Sequence, residues 1–194
     1  GWLAHGPYNK KFEEKFADFV GVKHAISCNS CTSALFLVLK ALDITGEVII
    51  PSFSFVATAN AVVTAGAIPR FVDIDYKTCN IDPKNIESAI TPKTQAIMPV
   101  HFGGQCCEMD KIMEIADKYD LVVLEDTAET MGGKFNNKQA GSFGIGFFSI
   151  ISNGCPLKHH VGITKGVGFS IFYIIGFYSG FILCYFFYLF FITF

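Results

Sequence analysis

Over residues 1–150, short apolar runs alternate with segments whose apolar residues recur at helical spacing, and few architectures accommodate that alternation. Phe12, Phe16 and Phe19 recur among charged residues and predict an amphipathic helix over 8–20. A short strand is expected at His24–Cys28, followed by the polar corner Asn29-Ser30-Cys31-Thr32 and a helix over Ser33–Leu42. Glu47–Ile50 reads as a buried strand, Phe55–Ala65 as an apolar helix, and Arg70–Ile74 as a strand again. Asp82 followed by Pro83 supplies an N-cap and a proline at the first helical position, starting a helix that runs to Ala89. Thr94–Val100 then reads as strand, Met109–Tyr119 as an amphipathic helix and Leu121–Glu125 as strand, with Asn136-Asn137 as a hairpin turn. The class this implies is α/β: a mostly parallel sheet covered by helices on both faces, forming one domain over 1–150.

Charge and composition divide the chain. All 17 acidic residues and 13 of the 15 basic ones precede residue 151, whereas none of the 29 residues from Gly166 to Phe194 is charged. That last stretch holds nine Phe, four Tyr and five Ile. It is long enough to span a bilayer as a helix, which takes about 20 residues. The chain also has 14 Lys and one Arg, a balance typical of A/T-rich genes, in which a shifted reading frame yields Phe/Ile/Tyr-rich text. Residues 151–194 are therefore expected to be a frameshift product, with a membrane segment as the alternative. Such a tail would drive aggregation or membrane insertion. The opening Gly1-Trp2-Leu3, without an initiator Met or a signal segment, reads as the start of a piece of something longer. A formal charge of −2 argues against a nucleic-acid partner, and an apolar fraction of 51% excludes a disordered chain.

In an open parallel sheet, ligands bind at the carboxyl ends of strands. Three polar groups fall there: Asn29–Thr32, His101 and Asp126. No Gly-x-Gly-x-x-Gly follows the first strand, and no nucleoside-triphosphate loop is present. Ser30-Cys31-Thr32 at a helix start could hold one phosphate on its backbone N–H groups, or serve only as an N-cap. Cys28-x-x-Cys31, with Cys106-Cys107, leaves a redox or zinc reading open beside that of reduced, packed cytosolic thiols. His101 suits a site and suits a hydrogen-bonded structural role equally.

Read in order, a series of segments resembles the sugar aminotransferases called the DegT/DnrJ/StrS family, which use pyridoxal 5'-phosphate. They begin with Gly1-Trp2-Leu3, Gly6-Pro7, Val20-Gly21-Val22-Lys23-His24-Ala25 and Asn29-Ser30-Cys31-Thr32-Ser33-Ala34-Leu35. Pro51-Ser52-Phe53-Ser54-Phe55-Val56-Ala57-Thr58-Ala59-Asn60, Phe71-Val72-Asp73-Ile74-Asp75 and Pro99-Val100-His101 with Gly104-Gln105 follow. Glu125-Asp126-Thr127-Ala128-Glu129 and Gly141-Ser142-Phe143-Gly144 complete the series. The resemblance implies a three-layer α/β/α fold of the aspartate-aminotransferase type (fold type I), truncated within its large domain. It implies that Cys31 and Thr32 bind the cofactor phosphate, Phe55 stacks on the pyridine ring and Asp126 pairs with the pyridine nitrogen. It places Glu129 near the ring hydroxyl, where the family often has Gln or His, and Ser149 at the phosphate. By their residue types alone, Phe55 reads equally as core, Asp126 as a strand-end cap and Ser149 as an ordinary strand-end serine.

The family's Schiff-base lysine lies about five residues after the serine matching Ser149, where this chain has Gly154. Lys158 and Lys165 lie nearby without the right offset, Lys158 being a weak candidate. The resemblance therefore implies an inactive fragment of a cytoplasmic, homodimeric aminotransferase. The intact parent would transfer an amino group, usually from glutamate, to a nucleotide-linked keto sugar for polysaccharide or antibiotic sugars. A non-catalytic, membrane-tethered module that binds cofactor or sugar is the alternative.

Overall fold

The computed structural model describes residues 6–150 and 189–193. In chain order the elements are α1 (Pro7–Val20), β1 (Ala25–Cys28), α2 (Cys31–Ala41), β2 (Glu47–Pro51), α3 (Val56–Ala65) and β3 (Ile68–Val72). Next come α4 (Pro83–Ala89), β4 (Thr94–Ile97), a 3-10 turn (Phe102–Gly104), α5 (Met109–Tyr119) and β5 (Val122–Thr127). The small hairpin strands β6 (Lys134–Phe135) and β7 (Lys138–Gln139) precede β8 (Ile145–Ile150) and β9 (Leu189–Thr193).

Seven strands form one sheet in the order β1-β9-β8-β5-β4-β2-β3. β2 pairs in parallel with β3 and β4, β4 with β5, and β5 with β8. β9 runs antiparallel between β8 and β1, so β1 is parallel to the rest. The carboxyl ends of β1, β2, β4, β5 and β8 thus lie along one edge of the sheet.

Side-chain alternation along the strands sorts the core into two layers. Val48, Ile50, Ala96, Met98, Leu124 and Phe147 pack with Leu35, Leu39 and Val62 of α2 and α3. Ile49, Ile97 and Val123 face the other way, onto Ile86 of α4 and Ile112 and Ile115 of α5. Phe148 also turns away from Phe147's layer and meets Phe16 of α1 edge-on at a centroid distance of 5.1 Å. The α/β class with helices on both faces is what the alternation of the sequence implies.

Several boundaries differ from the sequence reading, each for a local reason. α2 begins at Cys31 rather than Ser33, because Ser30 is the cap: its Oγ accepts the Ser33 N–H at 3.0 Å. α3 begins at Val56, leaving Phe55 as an extended N-cap residue. β3 covers Ile68–Val72 and includes Pro69, which an outermost strand tolerates because its free side needs no N–H. β4 ends at Ile97, with Val100 joining Asp126 through an isolated bridge. β5 runs on to Thr127, so Asp126 lies inside the strand. Asn136 and Asn137 turn the hairpin with φ of 48° and 64°, the left-handed conformation that such two-residue turns require.

Among the described residues, no helix is long and apolar enough to cross a membrane. The uncharged run from Gly166 lies outside the described residues except for β9, which is a strand of the sheet. Lys158, Lys165 and Gly154 also lie outside them.

Candidate cofactor site

Topology brings five of the expected positions to the carboxyl edge of the sheet. Cys31 and Thr32 form the first turn of α2, directly after β1. Phe55 follows β2, Asp126 lies near the end of β5, and Ser149 is the penultimate residue of β8. The first N–H groups of a helix have no carbonyl within the helix to bond, and they carry the positive end of its dipole. Those of Cys31 and Thr32 are such groups. Thr32 is exposed, and its hydroxyl is available to a ligand, whereas Cys31 is buried.

Asp126 is buried, at 6% exposure, and desolvation pushes its carboxyl above the ordinary range. Two hydrogen bonds oppose that push. The Ala128 N–H donates to Oδ1 at 3.2 Å, and the buried Thr58 hydroxyl donates to Oδ2 at 3.0 Å. Because Thr58 donates to the carboxylate, its oxygen accepts from the Ser54 hydroxyl, 2.7 Å away. Ser54, Thr58 and Asp126 therefore form one directed chain from the β2–α3 corner into β5.

Phe55 joins the same assembly. Its carbonyl accepts the Thr58 N–H at 3.1 Å, so the backbone that carries the ring is one helical turn from the residue that anchors Asp126. The ring is 62% exposed and belongs to none of the core clusters of the described residues. A core role for Phe55 is thereby overturned. The reason is its N-cap backbone, with ψ of 140°, which turns the residue out of the helix.

Glu129 is half-buried, and its Oε2 accepts the Gly103 N–H at 2.8 Å, tying the end of β5 to the Phe102–Gly104 turn. Phe102 in that turn packs against Phe53, with ring centroids 4.8 Å apart and the planes tilted by 60°. His101 is fully buried and faces Glu125 instead of the carboxyl-edge surface.

Among the described residues, Cys28, Cys31, Cys79, Cys106 and Cys107 are free thiols. Burial, with Asp126 and Cys28 adding to it, pushes the Cys31 thiol well up, so it is a neutral packed group and not a thiolate. Among the described residues, no three His, Cys, Asp or Glu side chains are placed to hold a metal ion.

Sequence reasoning overlooked Thr58 and Glu125. Thr58 sits in an apolar helix three residues after Phe55, and only its Oγ1 contact with Asp126 marks it. Glu125 closes the apolar run Leu121–Glu125 and carries no role in the sequence reading, yet it is a carboxylate with no exposure.

The model of the DegT/DnrJ/EryC1/StrS aminotransferase family matches residues 1–153. The spore coat polysaccharide biosynthesis protein SpsC of Bacillus subtilis is 50% identical over 146 residues, 74% of this chain and 38% of that protein. GDP-perosamine synthase of Caulobacter vibrioides is 47% identical over 156 residues, 78% of this chain and 42% of that one. The crystal structure of NtdA from Bacillus subtilis with bound cofactor PMP superposes with a TM-score of 0.69 at 40% identity, covering 74% of this chain and 33% of that one. The chain thus spans about two fifths of the length of the curated relatives it matches. By its fold, its motif order and these matches, the chain belongs to the DegT/DnrJ/EryC1/StrS aminotransferase family.

Proposed function

We propose that this chain is the cofactor-binding N-terminal part of a pyridoxal-phosphate-dependent aminotransferase acting on a nucleotide-linked keto sugar. The observation that carries the reading is Asp126: a desolvated carboxylate at the carboxyl edge, supported by Thr58 and with no Lys or Arg ion-paired to it among the described residues. Such a group is stabilised by a cationic partner, and a protonated pyridine nitrogen is one. The donor set fits the rest of the cofactor. The first-turn N–H groups of α2 and the Thr32 hydroxyl suit a phosphate, and the exposed Phe55 face suits an aromatic ring.

When bound, the cofactor supplies an electron sink for loss of a proton from the substrate carbon. The chain's own part is binding and orientation. Asp126 would hold the proton on the ring nitrogen, Thr58 fixes the Asp126 carboxylate through its hydroxyl, and the exposed Phe55 would pack on the ring. Cys31 and Thr32 would hold the phosphate at the α2 end, with Ser149 of β8 assigned to the same group, and Glu129 would serve the ring hydroxyl.

The lysine that carries the cofactor is missing from its expected position, so the chain binds without turnover; Lys158 is the one weak substitute. The intact parent works as a cytoplasmic homodimer with glutamate as amino donor. The identity of GDP-perosamine synthase as a relative supports a nucleotide sugar as the acceptor.

Equilibrium titration of the 194-residue chain with pyridoxamine 5'-phosphate tests the reading. Saturable binding, competed by inorganic phosphate, is the expected result, with no amino transfer from glutamate. Absence of saturable binding overturns the binding role, and amino transfer lost on Lys158→Ala overturns the claim of inactivity.

A further inference from the structure

Glu125 and its surroundings form a second buried polar cluster, on the face of the sheet opposite Asp126. Its Oε1 accepts the N–H groups of Phe143 at 2.7 Å and Gly144 at 2.6 Å. Its Oε2 accepts the Gly141 N–H at 2.8 Å and lies 3.1 Å from His101 Nε2. The Cys107 N–H donates to His101 Nδ1 at 3.0 Å, which makes Nδ1 the bare nitrogen and Nε2 the protonated one. The His101–Glu125 contact is accordingly a hydrogen bond from a neutral imidazole to a carboxylate. Four donors converge on two oxygens.

Neither glycine of the turn has room for a side chain. Gly141 has φ of +82°, and a Cβ there would strike the Phe148 ring. A Cβ on Gly144 would strike the Val123 carbonyl oxygen. Gly141-Ser142-Phe143-Gly144 is a backbone nest of the kind that binds anions, and here the anion is internal. The cluster also grips the ligand face. His101 N–H donates to the Asp126 carbonyl at 3.0 Å, and Thr130 Oγ1 donates to the His101 carbonyl at 2.6 Å. The turn itself leads into β8, which pairs with β5 through Asp126 opposite Phe147.

The geometry points to Glu125 as a positioning residue: its carboxylate fills the 141–144 nest, fixes His101 as the Nε2–H tautomer, and so sets β8 and the Asp126 backbone for cofactor binding. This rests on the cofactor reading of Asp126, but the nest can be measured without it. Glu125→Gln is isosteric and replaces one acceptor oxygen by an amide N–H₂, which must face either two backbone N–H groups or Gly141 N–H with His101 Nε2–H. Two readouts on the 194-residue chain separate the claims: the imidazole nitrogen shifts of His101 with amide exchange at Gly141, Phe143 and Gly144, and the affinity for pyridoxamine 5'-phosphate.

In the unsubstituted chain His101 should show a protonated Nε2 and slow exchange at those three amides. Glu125→Gln should speed that exchange and weaken pyridoxamine 5'-phosphate by about tenfold or more. His101→Gln, which keeps a donor toward Glu125 and should fold where Glu125→Gln does not, should weaken it by a smaller factor while the three amides stay protected. A protonated Nδ1, or unchanged exchange in Glu125→Gln, overturns the nest. An intact nest with pyridoxamine 5'-phosphate affinity unchanged in both variants overturns the positioning role. If the unsubstituted chain binds no pyridoxamine 5'-phosphate, the cofactor reading fails with the positioning role, while His101 and the amides still report the nest.

Discussion

Glu125 and Asp126 are adjacent, acidic and buried, yet they face opposite layers of the sheet and meet opposite environments. Glu125 has four donors on its two oxygens, three of them backbone N–H groups from one turn. Asp126 has two, one from Ala128 and one from Thr58, and its carboxyl is pushed up by desolvation. A carboxylate whose acceptor capacity is filled by the fold is structural. One that is buried and left short of donors is held in readiness for a partner from outside.

Substitutions should separate the two. Glu125→Ala leaves His101 Nε2–H and three backbone N–H groups without acceptors, and should cost about 3–5 kcal/mol of unfolding free energy in urea titration. Gly144→Ala, by driving a methyl group into the Val123 carbonyl, should cost about 2–3 kcal/mol by the same measurement. Asp126→Asn should not lower stability near neutral pH but should weaken pyridoxamine 5'-phosphate about 10- to 100-fold, the scale of one charge-assisted hydrogen bond.

The pH dependence has a definite sign. Asp126 is raised in the folded chain, so its contribution to stability is present below the ordinary carboxylate value of 3.8 and is lost as pH rises through the raised one. Asp126→Asn should remove that loss, so its urea midpoint should rise relative to that of the unsubstituted chain as pH goes from acid to neutral. The smallest effect belongs to the end of α2. Ser30→Ala removes the cap to Ser33 N–H and should cost about 1 kcal/mol.

Much of this architecture was legible in sequence because alternation determines layer. Val48, Ile49 and Ile50 belong to one apolar run, and strand geometry alone sends Ile49 to the opposite face. The Asp82-Pro83 start of α4 was equally plain, since cap and fixed φ act locally. What was hidden depends on contacts far apart in the chain. Thr58 is a threonine in an apolar helix until β5 brings Asp126 to it, 68 positions on. Glu125 sits after four apolar residues, and its partners come from the 141–144 turn and from His101. The one available hint was a charge inside an apolar strand accompanied by two closely spaced glycines downstream. β9 was missed for another reason. Leu189-Phe190-Phe191-Ile192 lies in a long uncharged run, and periodicity cannot tell a central strand from an apolar helix there.

The central claim, that Asp126 holds a protonated pyridine nitrogen, is tested most directly by binding ring-¹⁵N-labelled pyridoxamine 5'-phosphate and reading the nitrogen by NMR. The account predicts a pyridinium signal in the complex with the unsubstituted chain at neutral pH, lost with Asp126→Asn. A bare pyridine nitrogen in that complex, or a pyridinium signal that survives Asp126→Asn, would contradict it.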